Sequence, residues 1–518
     1  MSTSDIHLKS SPLVGAIDEG TSSARFIIFE AGTTTVVASH QVELTKQFPQ
    51  EGWVEQDPMV ILDAVYTCIK CSVEKLSDLG RSVDEIVAIG VTNQRESTIV
   101  WDKTTGVPLH NSIVWLDMRT AQTVDQLLDK VPNKSRNKEY LKPLCGLPMS
   151  PYFSACKIRW LQDNVPKVKK AMDEGRCLFG NVDSWLIWNL TGGKNNGIHI
   201  TDVSNASRTM LMNIDSLKWD PTLINFFEIP KNILPNIKSS SEVYGEVQEG
   251  PLKGIPISGC LGDQQSALVG QQCLKSGQAK ATYGTGCFLL YNTGNVKVNS
   301  THGLITTVAY QLGPNQPPVY ALEGSVAVAG AALSWLRDNM SILPHFGRAQ
   351  SIAREADLIV GGDVVFVPAF SGLYAPYWQQ NARGVICGIS AETNSSHIIK
   401  AALEAVCFQT RDVLDAMDKD YGRRLQNMQV DGGMTANSLL MQLQADLAGV
   451  TVNKPNMAES TALGAAMVAG AAVGCWDIVN TPLEIPFQTW SPRYTENERD
   501  VCYVRWKNAV ERAMGWDI

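Results

Sequence analysis

An α/β fold in two domains is what this sequence predicts, and three observations predict it. At 518 residues and 56.6 kDa the chain exceeds one compact core, since a domain takes roughly 150 residues. Strand-like apolar runs alternate with helix-like periodic stretches, which is the pattern of an α/β rather than an all-helical or all-β protein. A Gly-Thr loop, a strand and a glycine turn recur once in each half. They stand at Gly20-Thr21-Ser22, residues 25–29 and Gly32, and again at Gly284-Thr285-Gly286, residues 288–291 and Gly294. Two phosphate-loop hairpins of this kind fit a duplicated fold, with a boundary near residue 270 that divides the chain into 1–270 and 271–518.

The elements follow in order. Residues 13–17 form an apolar strand ending at Asp18, and residues 25–29 and 34–38 form a hairpin across Ala31-Gly32. Asp57-Pro58 opens a helix, with Asp as N-cap and Pro at the first position, where its missing N–H costs nothing. Leu62, Val65, Ile69, Val73 and Leu76 give that helix one apolar face. Residues 86–91 are a buried strand leading into Thr92-Asn93-Gln94-Arg95-Glu96. The stretch 239–259 is rich in Ser, Gly and Pro, and Gly262-Asp263-Gln264-Gln265 begins a helical stretch. Val430-Asp431-Gly432-Gly433-Met434 reads as a strand end and a glycine turn into a helix over 437–447. Residues 461–476, built from Ala and Gly, read as a closely packed helix, short of the roughly 20 apolar residues a membrane span takes.

Composition excludes several classes. With 44% hydrophobic and 19% charged residues, wholesale disorder is ruled out, and a net charge of -8 offers no general field for a nucleic-acid backbone. Residues 1–11 lack the pattern of a secretory signal, so a cytoplasmic protein is expected, and the Asn-x-Ser/Thr triplets are background. The 12 cysteines form no dense framework; Cys68 and Cys71 make a CxxC inside the helix, without a second pair to complete a zinc site.

The loops carry the candidate chemistry. Asp18-Glu19-Gly20-Thr21-Ser22 places an acid at a strand end before small hydroxylated residues. Glycine admits a phosphate close to the backbone, N–H groups and hydroxyls donate to it, and the Asp can hold magnesium. An ordinary hairpin turn accounts for the same residues, but the second loop, Tyr283-Gly284-Thr285-Gly286, favours a nucleotide clamp. A Walker loop is excluded because Gly193-Lys194 is followed by Asn195, and a dinucleotide fingerprint because Gly284-Thr285-Gly286 lacks its third glycine. The turn at Gly432-Gly433 suits a base or ribose lying on bare backbone, or is a plain connection. Arg95 and Glu96, at a strand's carboxyl end, offer donors and an acceptor to a polyol or form a surface ion pair; Trp115 adds an aromatic wall. Asp263, in a glycine-flanked loop, is either a helix N-cap or a base for an alcohol proton.

Together these pieces resemble the FGGY carbohydrate kinases, and within them the glycerol kinases, from about residue 12 to residue 516. The first family signature resembles the run from Tyr152-Phe153-Ser154-Ala155-Cys156-Lys157 to Asn164. The second resembles the run from Gly384 through His397-Ile398 to Glu404. The loops at 92–96, 262–265 and 282–288 look like glycerol-specific forms, and those at 371–378 and 431–435 look closer to animal than bacterial versions.

The resemblance implies two actin-like (ribonuclease H-like) domains, each on a five-stranded mixed sheet, with a catalytic cleft that closes over ATP and glycerol. It implies that Arg95, Glu96, Tyr152, Asp263 and Gln264 bind the glycerol hydroxyls while Trp115 and Phe288 pack against the carbons. It further implies that Thr21, Ser22, Arg25 and Thr285 line the phosphate path, and that Gly330, Gly433 and Asn437 border the adenosine. Asp18, with Asp263, would place Mg2+, and Asp263 would be the general base. Glu19 stands where the family has glutamine, putting an extra carboxylate beside the phosphates. The expected partners are glycerol and ATP, with no nucleic acid and no membrane anchor, in a homo-oligomer, dimer or tetramer. A pentulose kinase and a catalytically weak binding protein are the competing readings. Arg95-Glu96 argues against the first, and Glu19 keeps the second open.

Overall fold

The computed structural model describes residues 11–358 and 363–516. The reading of residues 1–11 falls almost entirely outside them. The chain forms two units. One is Met1–Gln272 with Val308–Pro318 and Glu459–Glu484; the other is Cys273–Thr307, Val319–Ala458 and Ile485–Ile518.

The first unit is built on strands β1 (Leu13–Glu19), β2 (Ser23–Glu30), β3 (Val36–Glu43), β4 (Ile86–Asn93), β5 (Ser241–Glu246) and β6 (Pro256–Gly262), in the order β5-β6-β4-β1-β2-β3. β1, β4 and β6 run parallel, and the other neighbours run antiparallel. β1 is buried along its whole length and β4 along all but one residue, which is why both read as continuous apolar runs rather than as alternating strands. The Ser-, Gly- and Pro-rich stretch 239–259 is not irregular: it holds β5 and the start of β6.

Helix Pro58–Asp78 starts as expected, with the Asp57 carboxylate accepting from the Met59 N–H, and it buries Ile61, Leu62, Val65, Ile69 and Leu76. Helix Ser460–Ala472 is the close-packed one. Where it meets helix Asp263–Gly270, a Cβ on Gly464 would lie 1.9 Å from the Ser266 carbonyl oxygen and one on Gly270 1.9 Å from that of Ser460. Only glycine permits two helices to approach this closely, so the Ala/Gly composition is a packing requirement rather than a membrane signal. Among the described residues no helix is long and apolar enough to cross a membrane.

A second sheet, whose strands belong to the second unit except for residues 308–310, repeats the plan with β7 (Ala279–Tyr283), β8 (Cys287–Gly294), β9 (Ile305–Tyr310), β10 (Val319–Val326), β11 (Asn427–Asp431), β12 (Thr451–Pro455) and β13 (Phe487–Trp490), in the order β9-β10-β8-β7-β11-β12-β13. The central order β12-β11-β7-β8-β10 matches β6-β4-β1-β2-β3 strand for strand, including which pairs are parallel. The short echo in the sequence is therefore a duplication of the whole sheet. The expected five-stranded sheets are these centres, and the structure extends them to six and seven strands with β5, β9 and β13 at the edges. The edge strands are short or interrupted by bulges and carry no motif, so sequence periodicity does not single them out.

Candidate active site

In the first unit the candidate residues gather at the carboxyl ends of the parallel strands β1, β4 and β6, where open α/β sheets bind ligands. Asp18 and Glu19 end β1, Arg95 and Glu96 follow β4, and Asp263 follows β6 directly as the first residue of helix Asp263–Gly270. The helical stretch expected from residue 262 is thus present, with Asp263 as its first residue rather than its N-cap or a loop residue. Its Oδ1 accepts from the Gln264 N–H at 2.8 Å and lies 3.3 Å from Arg95 Nε, yet its side chain is about a quarter exposed. Arg95 is buried and donates to Gln265 Oε1 at 3.3 Å. The space for it exists because residue 262 is glycine: a Cβ there would lie 2.7 Å from Arg95 Cγ and Cδ. Gln264 is buried beside Asp263, its amide 3.4 Å from Oδ2.

Glu96 adopts a left-handed φ of 59°, a strained backbone for a residue with a Cβ. Its carbonyl is pinned by the hydroxyls of Thr98 at 3.0 Å and Ser154 at 3.2 Å. Its carboxylate accepts from Arg208 Nε at 2.6 Å, and both side chains are essentially excluded from water, so Glu96 is in a buried ion pair rather than a surface one. The Arg208 guanidinium lies 5.8 Å from the Tyr152 ring centre and 5.5 Å from that of Phe153. Tyr152 in turn packs edge-on against Trp115, with centres 5.7 Å apart. The Trp115 indole N–H donates to Thr21 Oγ1 at 2.9 Å, which ties the aromatic wall to the first phosphate loop. Lys157, fully buried, donates to the carbonyls of Pro151 at 2.8 Å and Tyr152 at 2.6 Å, and burial pulls its pKa down to about 8.

Arg208 and Lys157 are the positioning residues sequence reasoning passed over. Lys157 stands inside a quoted signature without a role, and Arg208 is joined to Glu96 only by the fold.

The loop after β1 presents Thr21 half-buried and Ser22 exposed, with Lys46 Nζ 3.5 Å from the Ser22 hydroxyl. Arg25 is not a lone cation: Nη1 lies 3.1 Å from Glu459 and 3.6 Å from Asp18. Burial pushes the Asp18 carboxyl up to about 7, against the pull of Arg25 and with repulsion from Glu459 and Asp263 adding to the rise.

Glu19 is fully buried, and burial pushes it up to about 8 despite a 2.9 Å hydrogen bond from the Gln94 amide. Uncharged at neutral pH, it keeps the shape of the expected glutamine, so the extra negative charge anticipated beside the phosphates is absent there. The folded pKa is the raised one. The folded state therefore holds a proton that the unfolded chain releases near pH 4.3, and this group lowers stability as pH rises from there to about 8. Glu19→Gln is expected to leave turnover at pH 7 close to wild type. It should raise Tm in metal-free buffer more at pH 8.5 than at pH 5, each kcal/mol moving Tm by roughly 2–4 °C. Melting curves at the two pH values check this, and an equal Tm change at both would contradict it.

The second unit carries the remaining candidates. Thr285 is exposed in the loop between β7 and β8, and its carbonyl accepts the N–H groups of Ala329 at 2.9 Å and Ala331 at 3.1 Å. The Gly330 N–H donates to the Gly284 carbonyl at 3.0 Å, docking the loop on the start of helix Gly330–Asp338. Gly284, Thr285, Gly330, Gly433 and Asn437 line one cavity of about 460 Å³, a size that suits a nucleoside. Asn437 caps helix Ser438–Ala448, its side-chain oxygen accepting from Leu439 and Leu440 at 3.1 Å. Ser334, which the family resemblance puts on the nucleotide side, also lines it, as do Phe346 and Gln350, which no motif marks in the sequence. Phe288 lies in the second unit, half-buried in β8.

Residues 13–270 match the N-terminal domain of the FGGY family of carbohydrate kinases, and residues 279–473 match its C-terminal domain. The chain is 50% identical to the glycerol kinase of Arabidopsis thaliana over 98% of each chain. It is 48% identical to the probable glycerol kinase of Dictyostelium discoideum, over 98% of this chain and 99% of that one. It superposes on the crystal structure of Plasmodium falciparum glycerol kinase with ADP with a TM-score of 0.86 at 38% identity, covering 97% of this chain and 98% of the other. The duplicated actin-like sheets and these likenesses over nearly the whole chain agree, and the chain belongs to the FGGY family of carbohydrate kinases.

Proposed function

We propose that this chain is an ATP-dependent kinase that phosphorylates glycerol to sn-glycerol 3-phosphate. The observation that carries the reading is the cluster after β4 and β6. There Arg95 beside Asp263, and Glu96 held by Arg208, set charged donors and acceptors against the Trp115–Tyr152 wall. A three-carbon triol needs this combination: fixed partners for adjacent hydroxyls, and an apolar surface for the carbons between them. The glycerol kinases among its relatives support the same substrate.

In the proposed reaction, Arg95, Glu96, Tyr152 and Gln264 hold the hydroxyls, and Asp263 faces the terminal one. As that oxygen attacks the γ-phosphorus, the O–H proton passes to an Asp263 oxygen, a new O–P bond forms, the bridging bond to the β-phosphate breaks, and ADP leaves. Thr21, Ser22, Arg25 and Thr285 are assigned to the phosphate oxygens as donors, and the cavity at Gly330, Gly433 and Asn437 to the adenosine. Phe288 is assigned to the carbon face of glycerol.

The donor set fits magnesium. Asp18, at the end of β1, and Asp263, about a quarter exposed, offer hard carboxylate oxygen ligands. Bound there, the ion would neutralise charge on the phosphates. A homo-oligomer is part of the same proposal.

Glycerol should be preferred to five-carbon sugars, because the aromatic wall and the two ion pairs enclose a short chain. Analogues lacking a hydroxyl should lose far more, roughly 10⁴-fold, than a missing methylene costs, because the buried partners are left unpaired. kcat/KM for glycerol, 1,2-propanediol, xylulose and ribulose tests this, and a pentulose value equal to that for glycerol would overturn the assignment.

A further inference from the structure

A second cavity, of about 520 Å³, lies in the second unit at the opposite end of the sheet from the nucleoside pocket. The nucleoside pocket gathers at the carboxyl ends of β7 and β11, with Gly284 and Thr285 after the first and Gly433 after the second. The second cavity takes Gly277, Gln278 and Ala279 from the amino end of β7, Asn427 from the amino end of β11, and Gln429 and Asn453 from within β11 and β12. Strands of five residues separate these ends by roughly 15 Å, and the two cavities share no lining residue.

Its chemistry is one-sided. Arg423 and Arg424 line it with five amide side chains, and no carboxylate is among the described lining residues. Glu496 stands 3.6 Å from Arg424, but both are half or more exposed, so water screens that pair. Gln429 Oε1 is buried and has no hydrogen-bond partner, an acceptor whose need a hydroxyl donor would meet. Asn453, opposite Gln429 in the register, already spends its side-chain oxygen on the Thr489 hydroxyl at 2.9 Å and so presents donors.

We infer that this cavity is a binding site for a small phosphorylated polyol, with the phosphate on Arg423 and Arg424 and a hydroxyl on Gln429. Guanidinium pairs recognise phosphate through charge-assisted hydrogen bonds, and the unpartnered amide oxygen selects a ligand that also carries an O–H donor. The reaction proposed above yields a molecule of this class. That choice of probe rests on the glycerol reading, but the binding itself does not.

Calorimetric titration of the full chain with glycerol 3-phosphate tests it, the catalytic site being filled with glycerol and a non-hydrolysable ATP analogue. Saturable binding is expected. It should weaken roughly ten- to a hundredfold in Arg423→Gln/Arg424→Gln and less in Gln429→Leu, with KM for glycerol unchanged in each. Both arginines are exposed, so the double variant should fold. Inorganic phosphate should bind more weakly than glycerol 3-phosphate and be insensitive to Gln429→Leu. Absence of binding with the catalytic site filled, or affinity unchanged in the double variant, would overturn the site. Equal affinity for inorganic phosphate would overturn the polyol.

Discussion

Asp263→Asn is expected to lower kcat by roughly 10²- to 10⁴-fold, the contribution of a positioned general base, while KM for glycerol changes much less. Asparagine keeps an oxygen to accept the Gln264 N–H, so the helix start survives, but it cannot take up the proton. It also removes the negative charge 3.3 Å from the buried Arg95 guanidinium. The variant should therefore lose stability as well, about 1–3 kcal/mol. Steady-state kinetics at a temperature where circular dichroism shows the variant folded separates the two effects. Near-normal turnover in a folded variant would remove Asp263 from the base role.

Arg208→Met should have the largest effect on stability. Removing one partner of a fully buried ion pair costs about 3–5 kcal/mol, because the Glu96 carboxylate is left without its counter-charge. Glu96 should then lose its fixed orientation, so KM for glycerol should rise more than kcat falls. Adding Glu96→Gln removes the stranded charge. The double variant should recover much of the lost stability without recovering glycerol affinity. Denaturant unfolding and glycerol KM for both single variants and the double one check this cycle, and additive stability losses would show that the pair is not coupled.

The parts of the site legible in the sequence are those carried by contiguous segments. β1 with its Gly-Thr loop and β4 ending in Arg95-Glu96 are each a buried parallel strand running into a candidate loop, and such strands are apolar runs that periodicity finds; the Asp431-Gly432-Gly433 turn is marked by its glycines instead. Asp263 was legible both as a residue and as the start of a helical stretch, but the contact of the glycine before it with Arg95 was not, because that glycine makes room for a side chain from a distant segment. Arg208 was not legible at all: it meets Glu96 across 112 residues of sequence, and nothing local in either segment announces the pair. The same holds for Phe346 and Gln350 in the nucleoside cavity, which reach it from a segment without a motif. Glu19 shows a different limit. Its residue type suggested charge, and only its burial reveals that it is protonated at neutral pH.

The most direct test of the proposed activity is ADP release by the purified full-length chain with ATP and magnesium, measured with and without glycerol. The account predicts release that depends on glycerol, saturates with it, and yields one glycerol 3-phosphate per ADP. Release that is absent, or that proceeds at the same rate without glycerol, would contradict it.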